Sequence, residues 1–443
     1  MKIDLSGHYN KVRIMKTVWS TMLMIVITSI YVVIDGIFIS NFTSTTAFAA
    51  VNLVAPALMM VAALGLMVGA GSSALVAKTL GEGNKRLARK IFSMLTYFAI
   101  ILGVSFSLLL IIFMRPIVIL LGGEGEMLEI AVTYGRLFSI CMPFIIISNE
   151  FQSLYMTAER PQLGMKVALT CGLINIVLDA LFVATFRWGY IGAAIATILS
   201  AMFGGIFPLC YFSSRRNDTH LHLVKAKFNW SYIHQANLNG VSELVSNIAY
   251  SLVSICYNLQ LLKYLGENGV AAYGIMMYVT YIFTALLQGF NIGIAPVISY
   301  NYGAKNYGEL HSLLKNNIIL ITIIDIILFI ICEVSAPVLS AIFVSYDPEL
   351  LALTTRAFRL YTSAFLIFGF SYFGSAFFTA LNKGPVSASL SFTRTIIFEM
   401  ASVWCLPLLI GIDGIWLSWP LAEVMTVILT FILLVKYRMR YGY

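Results

Sequence analysis

Long apolar segments recur along this chain, and they constrain its fold more than any motif. Of its 443 residues, 60% are hydrophobic and only 11% are charged, whereas ordinary soluble domains carry about 25% charged residues. A helix needs about 20 apolar residues to cross a bilayer. Segments of this kind lie at 16–40, 49–77, 91–114, 130–157, 164–186, 190–212, 234–262, 270–300, 315–341, 355–380, 386–410 and 413–436. We therefore predict an all-α polytopic membrane protein with twelve transmembrane helices.

The distribution of positive charge predicts how these spans are oriented. Twelve spans place both termini on the same side of the membrane. If that side is the cytoplasm, the inner segments hold 21 of the 28 Lys and Arg residues, as expected because cytoplasmic loops carry the excess of positive charge. The net charge of +8 is thus explained by loops that face the cytoplasm, and we expect no nucleic-acid partner.

An internal repeat divides the chain into two halves. Shifted by 222 residues, the sequence matches itself at Ser20/Ser242, Ala49/Ala271, Gly71/Gly293, Gly81/Gly303 and Phe151/Phe373. Six spans in each half make the halves parallel, related by a pseudo-two-fold axis along the membrane normal. We predict an N-terminal six-helix lobe at 1–212, a cytoplasmic linker at 213–233 and a C-terminal six-helix lobe at 234–443.

Four polar residues lie at similar depths in the outer part of the first half: Asp35 in span 1, Asn175 and Asp179 in span 5, and Thr197 in span 6. A charged side chain at the bilayer centre costs roughly 2.5–3.5 kcal/mol on insertion scales. The spacing of four residues puts Asn175 and Asp179 on one helix face. The group could form an all-oxygen site for a small cation such as Na⁺, or hold two carboxyls that share one proton; a polar contact between helices is the structural alternative.

The repeat offers an internal comparison for these residues. At the offset of 222, Asp35, Asn175, Asp179 and Thr197 correspond to Tyr257, Ile397, Ala401 and Trp419. A purely architectural role would more naturally recur in both halves. The comparison therefore favours a chemical role in the first half.

Further acids lie inside the predicted spans. Glu150 in span 4 could relay protons, meet a cationic substrate or make a helix contact, and Glu243 lies in the inner part of span 7. In the second half, Asp325 and Glu399 lie within spans, with Arg394 as a neutralising charge. Glu333 and Glu423 lie closer to span ends, where we expect them at the interface.

Motifs for catalysis or nucleotide use are not found in the sequence. It contains no G-x-x-x-x-G-K-[ST] motif, which disfavours direct use of ATP. No serine, histidine and aspartate set falls at a common depth, and the six cysteines are scattered singly. We expect no enzymatic activity and no cofactor, with H⁺ or Na⁺ as coupling ion.

Three stretches resemble one transporter family over nearly the whole chain. Ile34-Asp35-Gly36, Asn175-x-x-x-Asp179 with Thr197, and Asn149-Glu150-Phe151-Gln152 resemble the multidrug and toxic compound extrusion (MATE) family, most closely its MepA-like bacterial branch. The resemblance implies the MATE fold, a bacterial inner membrane, a monomer in contact with lipid, and antiport of H⁺ or Na⁺ against amphipathic, often cationic compounds.

The resemblance also implies roles for particular residues. It assigns cation coupling to Asp35, Asn175, Asp179 and Thr197, the acid of span 4 to Glu150, and, more loosely, a contribution of the second lobe to Glu243. Where many relatives have proline early in spans 1 and 7, this chain has Ser20 and Ser242, so a mechanism based on a proline bend does not carry over.

The alternative function is that of a lipid-linked precursor flippase of the same broad superfamily. Such a protein would be expected to have a strongly cationic central cavity for pyrophosphate. The only deeply placed basic residue here is Arg394.

Overall fold

The computed structural model describes residues 4–344 and 348–443, and these are almost entirely helical. The helices are α1 (Lys11–Phe42), α2 (Thr45–Gly81), α3 (Lys85–Leu120), α4 (Gly125–Ile140), α5 (Met142–Thr157), α6 (Pro161–Asp179), α7 (Gly189–Ser213), α8 (Trp230–Gly303), α9 (Tyr307–Val344), α10 (Pro348–Thr362), α11 (Phe368–Ala380), α12 (Gly384–Phe392), α13 (Met400–Ile410), α14 (Ile412–Trp416) and α15 (Ser418–Tyr441). Short π-helical segments continue α6 through Ala180–Thr185 and join α12 to α13 through Thr393–Glu399. The predicted all-α membrane fold is confirmed.

The predicted spans are found as helices in the described part of the chain. Nine single helical stretches are long and apolar enough to cross a membrane, and two bent helix pairs bring the number to eleven. The remaining predicted span is span 7, at 234–262, which forms the first arm of α8. It is not among the helices that are apolar enough to cross a membrane by composition. It carries Asn237, Asn239, Glu243 and Asn247, which suit a helix that lines a polar cleft.

The long helix α8 folds back on itself at Gly266. This residue has φ 63° and ψ −150°, a conformation that glycine adopts far more readily than other residues. The rings of Tyr257 and Tyr273 stack at 4.9 Å, although in one straight helix they would be about 24 Å apart at ~1.5 Å per residue. The two arms of α8 are therefore spans 7 and 8.

Spans 4 and 10 are both bent, and the two halves of the chain stabilise the bend differently. The angle is 56° between α4 and α5 and 44° in the corresponding pair of the second half. In the first half, Pro143 at the start of α5 packs against Gly103, and proline has no N–H to satisfy. In the second half, the N–H of Gly369 at the start of α11 donates to both carboxyl oxygens of Asp325, at 3.2 and 3.1 Å. Asp325 is thus a helix cap.

The two halves of the chain pack closely at one end of the bundle. A Cβ on Gly71 of α2 would overlap the backbone of Ala236, and one on Gly240 would overlap that of Met67. Nearer the helix ends, Gly81 packs against Tyr300 in the same way. The predicted orientation makes this the cytoplasmic end.

The opposite end of the bundle is open between the halves. A Cβ on Gly36 of α1 or on Gly274 of α8 would meet no atom within 4 Å. Tyr250 and Tyr281, towards the middle of the two arms of α8, are also exposed. The cleft between the halves therefore opens toward the predicted outer side.

Residues 4–10 form a strap across the closed end. The N–H of Leu5 donates to Glu159 Oε1 at 3.3 Å, after α5 in the first half. In the second half, Glu309 receives the N–H of Tyr9 and faces His8 Nδ1, each at 2.7 Å. The strap therefore connects both halves where they are in contact.

The segment between α7 and α8 is attached to the first half. Arg89 Nε of α3 donates to the carbonyl of His220 at 2.7 Å, and the N–H of Val224 donates to Ser93 Oγ at 2.8 Å. Leu221 is fully buried. The predicted linker is thus an ordered part of the first half's surface.

Candidate cation site and the second-half acids

The predicted polar group of the first half lies where α1 faces α6. Gly172 of α6 approaches the ring of Tyr31 of α1 so closely that a Cβ there would lie 3.2 Å from Cδ1. Asn175 and Asp179 follow on the same face of α6 one and two turns later, and Asp35 follows Tyr31 by one turn on α1. The periodicity of the two helices therefore brings Asp35, Asn175 and Asp179 to the contact between α1 and α6.

Asp35 and Asp179 lie close enough for their carboxyl groups to interact electrostatically. Asn175 and Asp179 are buried, and Asp35 is half-buried. Within the described part of the chain, four buried oxygens here have no hydrogen-bond partner: Asn175 Oδ1, Asp35 Oδ1 and both carboxyl oxygens of Asp179. Buried oxygens without donors are costly, so this set suits a bound proton or a small cation that accepts oxygen ligands.

Thr197 lies level with this group on the neighbouring helix. Ser200 Oγ of α7 donates to the carbonyl of Cys171 on α6 at 2.9 Å. Because α6 and α7 run antiparallel, Thr197, one turn before Ser200, lies level with Asn175. Thr197 is half-buried, and its part in the site stays a prediction.

Tyr134 of α4 is a neighbour of the site that sequence reasoning did not identify. It is buried and interacts electrostatically with both Asp35 and Asp179. It lies seven residues before Cys141, where span 4 bends. The sequence alone does not distinguish such a tyrosine from others in apolar spans, because its role depends on whether α4 packs against the contact between α1 and α6.

Glu150 is fully buried elsewhere in the first half. Gly69 of α2 packs on the backbone of Glu150, and the hydroxyl of Thr96 on α3 is a polar neighbour of its carboxyl. Both of its carboxyl oxygens are without a hydrogen-bond partner among the described residues. The structure therefore places Glu150 between α2, α3 and α5, with neighbours other than those of the Asp35–Asp179 pair.

Glu243 faces a cavity between the two halves. The cavity is also lined by Ser73 and Ser153 from the first half and by Asn291 and Tyr372 from the second. Arg394 lies close enough to interact with Glu243 electrostatically. Glu243 thus lies on the floor of the cleft, above the closed end.

Glu423 corrects one prediction: we expected it at the membrane interface, but it is fully buried. It forms an ion pair with Arg394, with 3.3 Å between Nε and Oε1. It also accepts from Trp419 Nε1 at 3.1 Å and from Ser371 Oγ. Depth along a span does not show which way a side chain points, and here the carboxyl points into the bundle. The ion pair of Arg394 is therefore with Glu423, and Glu399 also lies within its electrostatic influence.

Glu333, by contrast, is near the bundle surface, and its position at the membrane interface stays a prediction. Its carboxyl pairs with Arg359 at 3.6 Å and is partly exposed.

Two parallel halves, a cleft between them and buried acids in its walls define a polytopic membrane transporter. The MatE family model matches residues 21–181 and 244–404, one stretch in each half, and these matches span well over half of the chain. This chain therefore belongs to the MatE family, which agrees with the resemblance carried by its motifs.

Similar proteins share this architecture over nearly full length. "Multidrug export protein MepA" of Staphylococcus haemolyticus is 23% identical over 445 residues, which cover 99% of this chain and 97% of that protein. The MepA of Staphylococcus aureus strain MSSA476 is 23% identical over 96% of this chain and 94% of its own length.

Solved structures agree with the fold. A "Crystal structure of MATE in complex with MaL6" has a TM-score of 0.92 at 22% identity, and an "Outward-facing conformation of a multidrug resistance MATE family transporter of the MOP superfamily" also scores 0.92 at 22% identity. Each covers 99% of this chain and 97% of the compared one. At this level of identity the likeness establishes the fold.

Proposed function

We propose that this protein is a secondary antiporter of the bacterial inner membrane that exports amphipathic, often cationic compounds in exchange for H⁺ or Na⁺. The observation that carries the proposal is the Asp35–Asp179 carboxyl pair, whose buried oxygens lack donors. Two adjacent buried carboxylates repel each other, so the pair takes up a proton or a cation. The similarity to proteins named for multidrug export supports this direction of transport.

Cation binding and substrate binding are coupled through the two states of the cleft. A cation that enters from the open end neutralises Asp35 and Asp179, and substrate that arrives from the cytoplasm favours the state in which the closed end has opened. Each ligand shifts the equilibrium only by its difference in affinity for the two states. Both termini are cytoplasmic in this scheme, and the unit is a monomer surrounded by lipid.

A lipid-linked precursor flippase is the second candidate, and the second half of the chain disfavours it. Recognition of pyrophosphate requires free cationic groups. The deep basic residue Arg394 is already paired with Glu423 at 3.3 Å.

The proposal is tested in proteoliposomes loaded with ethidium under an imposed H⁺ gradient or, separately, a Na⁺ gradient. Wild-type protein is expected to move the dye under at least one gradient, and Asp179→Asn to abolish that movement. Glu333→Gln is the matched control, because this acid is partly exposed near the bundle surface. Dye movement by Asp179→Asn at the wild-type rate, with equal protein incorporated, would contradict the role of the pair. Movement under neither gradient would favour the flippase.

A further inference from the structure

The second half contains an aromatic cluster where the repeat places the cation site of the first half. Tyr257 and Trp419 occupy the positions that correspond to Asp35 and Thr197. Tyr257 stacks on Tyr273 at 4.9 Å, and Tyr361 packs against Trp419 at 4.7 Å and edge-on against Tyr257 at 5.9 Å. The same part of the fold thus holds acids in one half and aromatic rings in the other.

Glu399 lies within electrostatic reach of this cluster. It is 8% exposed, and it interacts electrostatically with Tyr250, Tyr257, Tyr273 and Tyr361. It makes no hydrogen bond or ion pair with any residue in 4–344 or 348–443. Among the described residues, Tyr257 Oη is buried and has no hydrogen-bond partner. This hydroxyl favours a partner from outside the chain, because leaving a buried polar group unpaired is costly.

The charge balance of this region indicates the sign of that partner. Three carboxyl groups and one guanidinium interact with one another here: Glu243, Glu399, Glu423 and Arg394. Arg394 is paired with Glu423 at 3.3 Å and rests on the ring of Phe368 at 5.1 Å. Glu399 therefore has no committed counter-charge, and a cation would supply it.

The cluster is connected to the cleft through Tyr250, which is 50% exposed. Tyr250 interacts with Tyr281, whose hydroxyl is a neighbour of Ser29 on α1. Tyr281 in turn neighbours Tyr31, which adjoins Asp35. A series of tyrosines therefore runs from Glu399 across the cleft to the first-half carboxyl pair.

We propose that Glu399 and the surrounding tyrosines form the binding site for the exported compound, and that this compound is a flat or bulky organic cation. The inference rests on the proposed function and adds the place and the chemistry of substrate binding. Aromatic faces attract organic cations, most strongly where water is excluded, and the single carboxylate supplies the charge. The substrate enters from the cleft on the side of Tyr250, and the coupling ion binds in the other half.

The test uses the full-length protein in detergent and tetraphenylphosphonium, a permanent cation whose charge does not depend on pH. Calorimetric titration compares it with tetraphenylborate, an anion of the same shape. Glu399→Gln is expected to weaken tetraphenylphosphonium binding at least tenfold and to leave tetraphenylborate binding within twofold. Glu333→Gln, an acid outside the cluster, is expected to change neither.

A second pair of variants tests the aromatic wall without altering the buried carboxyl. Tyr250→Leu is expected to weaken tetraphenylphosphonium binding at least fivefold, whereas Tyr250→Phe keeps the ring and stays within twofold. Because Tyr250 is half exposed, both variants are expected to fold even if Glu399→Gln does not. Binding within twofold of wild type in Tyr250→Leu, and in Glu399→Gln where it folds, would mean that the cluster is packing only.

Failure of this inference is distinguishable from failure of the proposed function. If wild-type proteoliposomes transport dye under a cation gradient but Glu399→Gln and Tyr250→Leu bind tetraphenylphosphonium normally, the site is wrong and the antiporter stands. If no gradient drives transport, the antiporter fails whatever these variants bind.

Discussion

At the scale of single residues, the two halves use buried carboxyl groups in different ways. Asp35 and Asp179 lie close together, with oxygens that are unpaired among the described residues, which is the arrangement expected of the proposed cation site. Glu423 has three fixed partners, and Asp325 caps a helix. The number of partners therefore separates the acids that we propose to take part in cation exchange from those that stabilise the fold.

The carboxyl pair makes a prediction about combined variants. If Asp35 and Asp179 hold one cation together, Asp35→Asn and Asp179→Asn will each abolish gradient-driven efflux, and the double variant will be no worse than either. Groups that act as a unit lose function non-additively. Initial efflux rates from proteoliposomes at equal protein density measure this. Residual rates that multiply in the double variant would show that the two acids act independently.

The Arg394–Glu423 pair makes a prediction about stability. Removing one partner of a buried ion pair typically costs about 3–5 kcal/mol, because the other charge is left uncompensated. Arg394→Met should therefore strongly destabilise the protein in thermal or denaturant unfolding, and adding Glu423→Gln should restore part of the loss. The exposed Arg115–Glu129 pair, at 2.7 Å, is the control and should contribute about 1 kcal/mol or less. Equal losses for the two pairs would argue against a buried pair.

Sequence reasoning identified residues of the first half because helical periodicity and span depth locate them directly. Asn175 and Asp179 share a face by spacing alone, and Asp35 falls at the same depth. Tyr134 was missed because its approach depends on how α4 packs against two other helices. The prediction for Glu423 was wrong because the depth of a residue in a span does not determine the direction in which its side chain points. The roles of Thr197, Glu150 and Glu243 remain predictions.

At the scale of elements, the bends in spans 4 and 10 position functional side chains. Span 4 carries Tyr134 before its bend and Glu150 after it, and span 10 carries Tyr361 before its bend and Tyr372 after it. The sequence predicted both as continuous spans, 130–157 and 355–380. Pro143 was a signal for the first bend, whereas the second depends on Asp325, 44 residues away from Gly369 in sequence.

The bend of span 10 makes a prediction for Asp325 and Gly369. Asp325→Ala leaves the N–H of Gly369 without its acceptor and should destabilise the protein by about 1–3 kcal/mol. Gly369→Ala should also destabilise it, because the added Cβ would overlap the Asp325 carboxyl. In an Asp325→Ala background that overlap is relieved, so Gly369→Ala should cost less than it does in the wild type. Unfolding measurements on the four proteins of this cycle test the coupling; strictly additive losses would contradict the contact.

At the scale of the whole molecule, the fold was predictable because each half repeats the other and each span is apolar. The family model matches both halves, as the offset of 222 residues implies. The conformation was not predictable, since closure at one end depends on glycine contacts such as Gly71 with Ala236. These contacts join segments about 165 residues apart in sequence and carry no periodic signal.

The strap at residues 4–10 makes a prediction about the equilibrium between the two states of the cleft. Glu309 receives the N–H of Tyr9 and faces His8 Nδ1, each at 2.7 Å, while Leu5 of the same strap contacts Glu159 of the first half. Hydrogen bonds to charged groups contribute about 1.5–3 kcal/mol, and ~1.4 kcal/mol changes an equilibrium tenfold. Glu309→Ala should therefore increase the population in which the closed end has opened by about tenfold or more.

Spin labels at Lys85 and Lys315, both exposed near this end, report the opening by double electron–electron resonance in a background without the six native cysteines. A longer-distance population should grow in Glu309→Ala. It should not grow in Glu82→Ala, which removes an acid at the same end whose partner, Lys78, lies in its own helix at 3.7 Å. Because the strap contacts both halves only while they are together, its release should also slow recovery of the outward-open state after substrate export, seen as a lower dye efflux rate at saturating gradient. Unchanged distances and rates in Glu309→Ala would show that the glycine contacts alone hold the closed end.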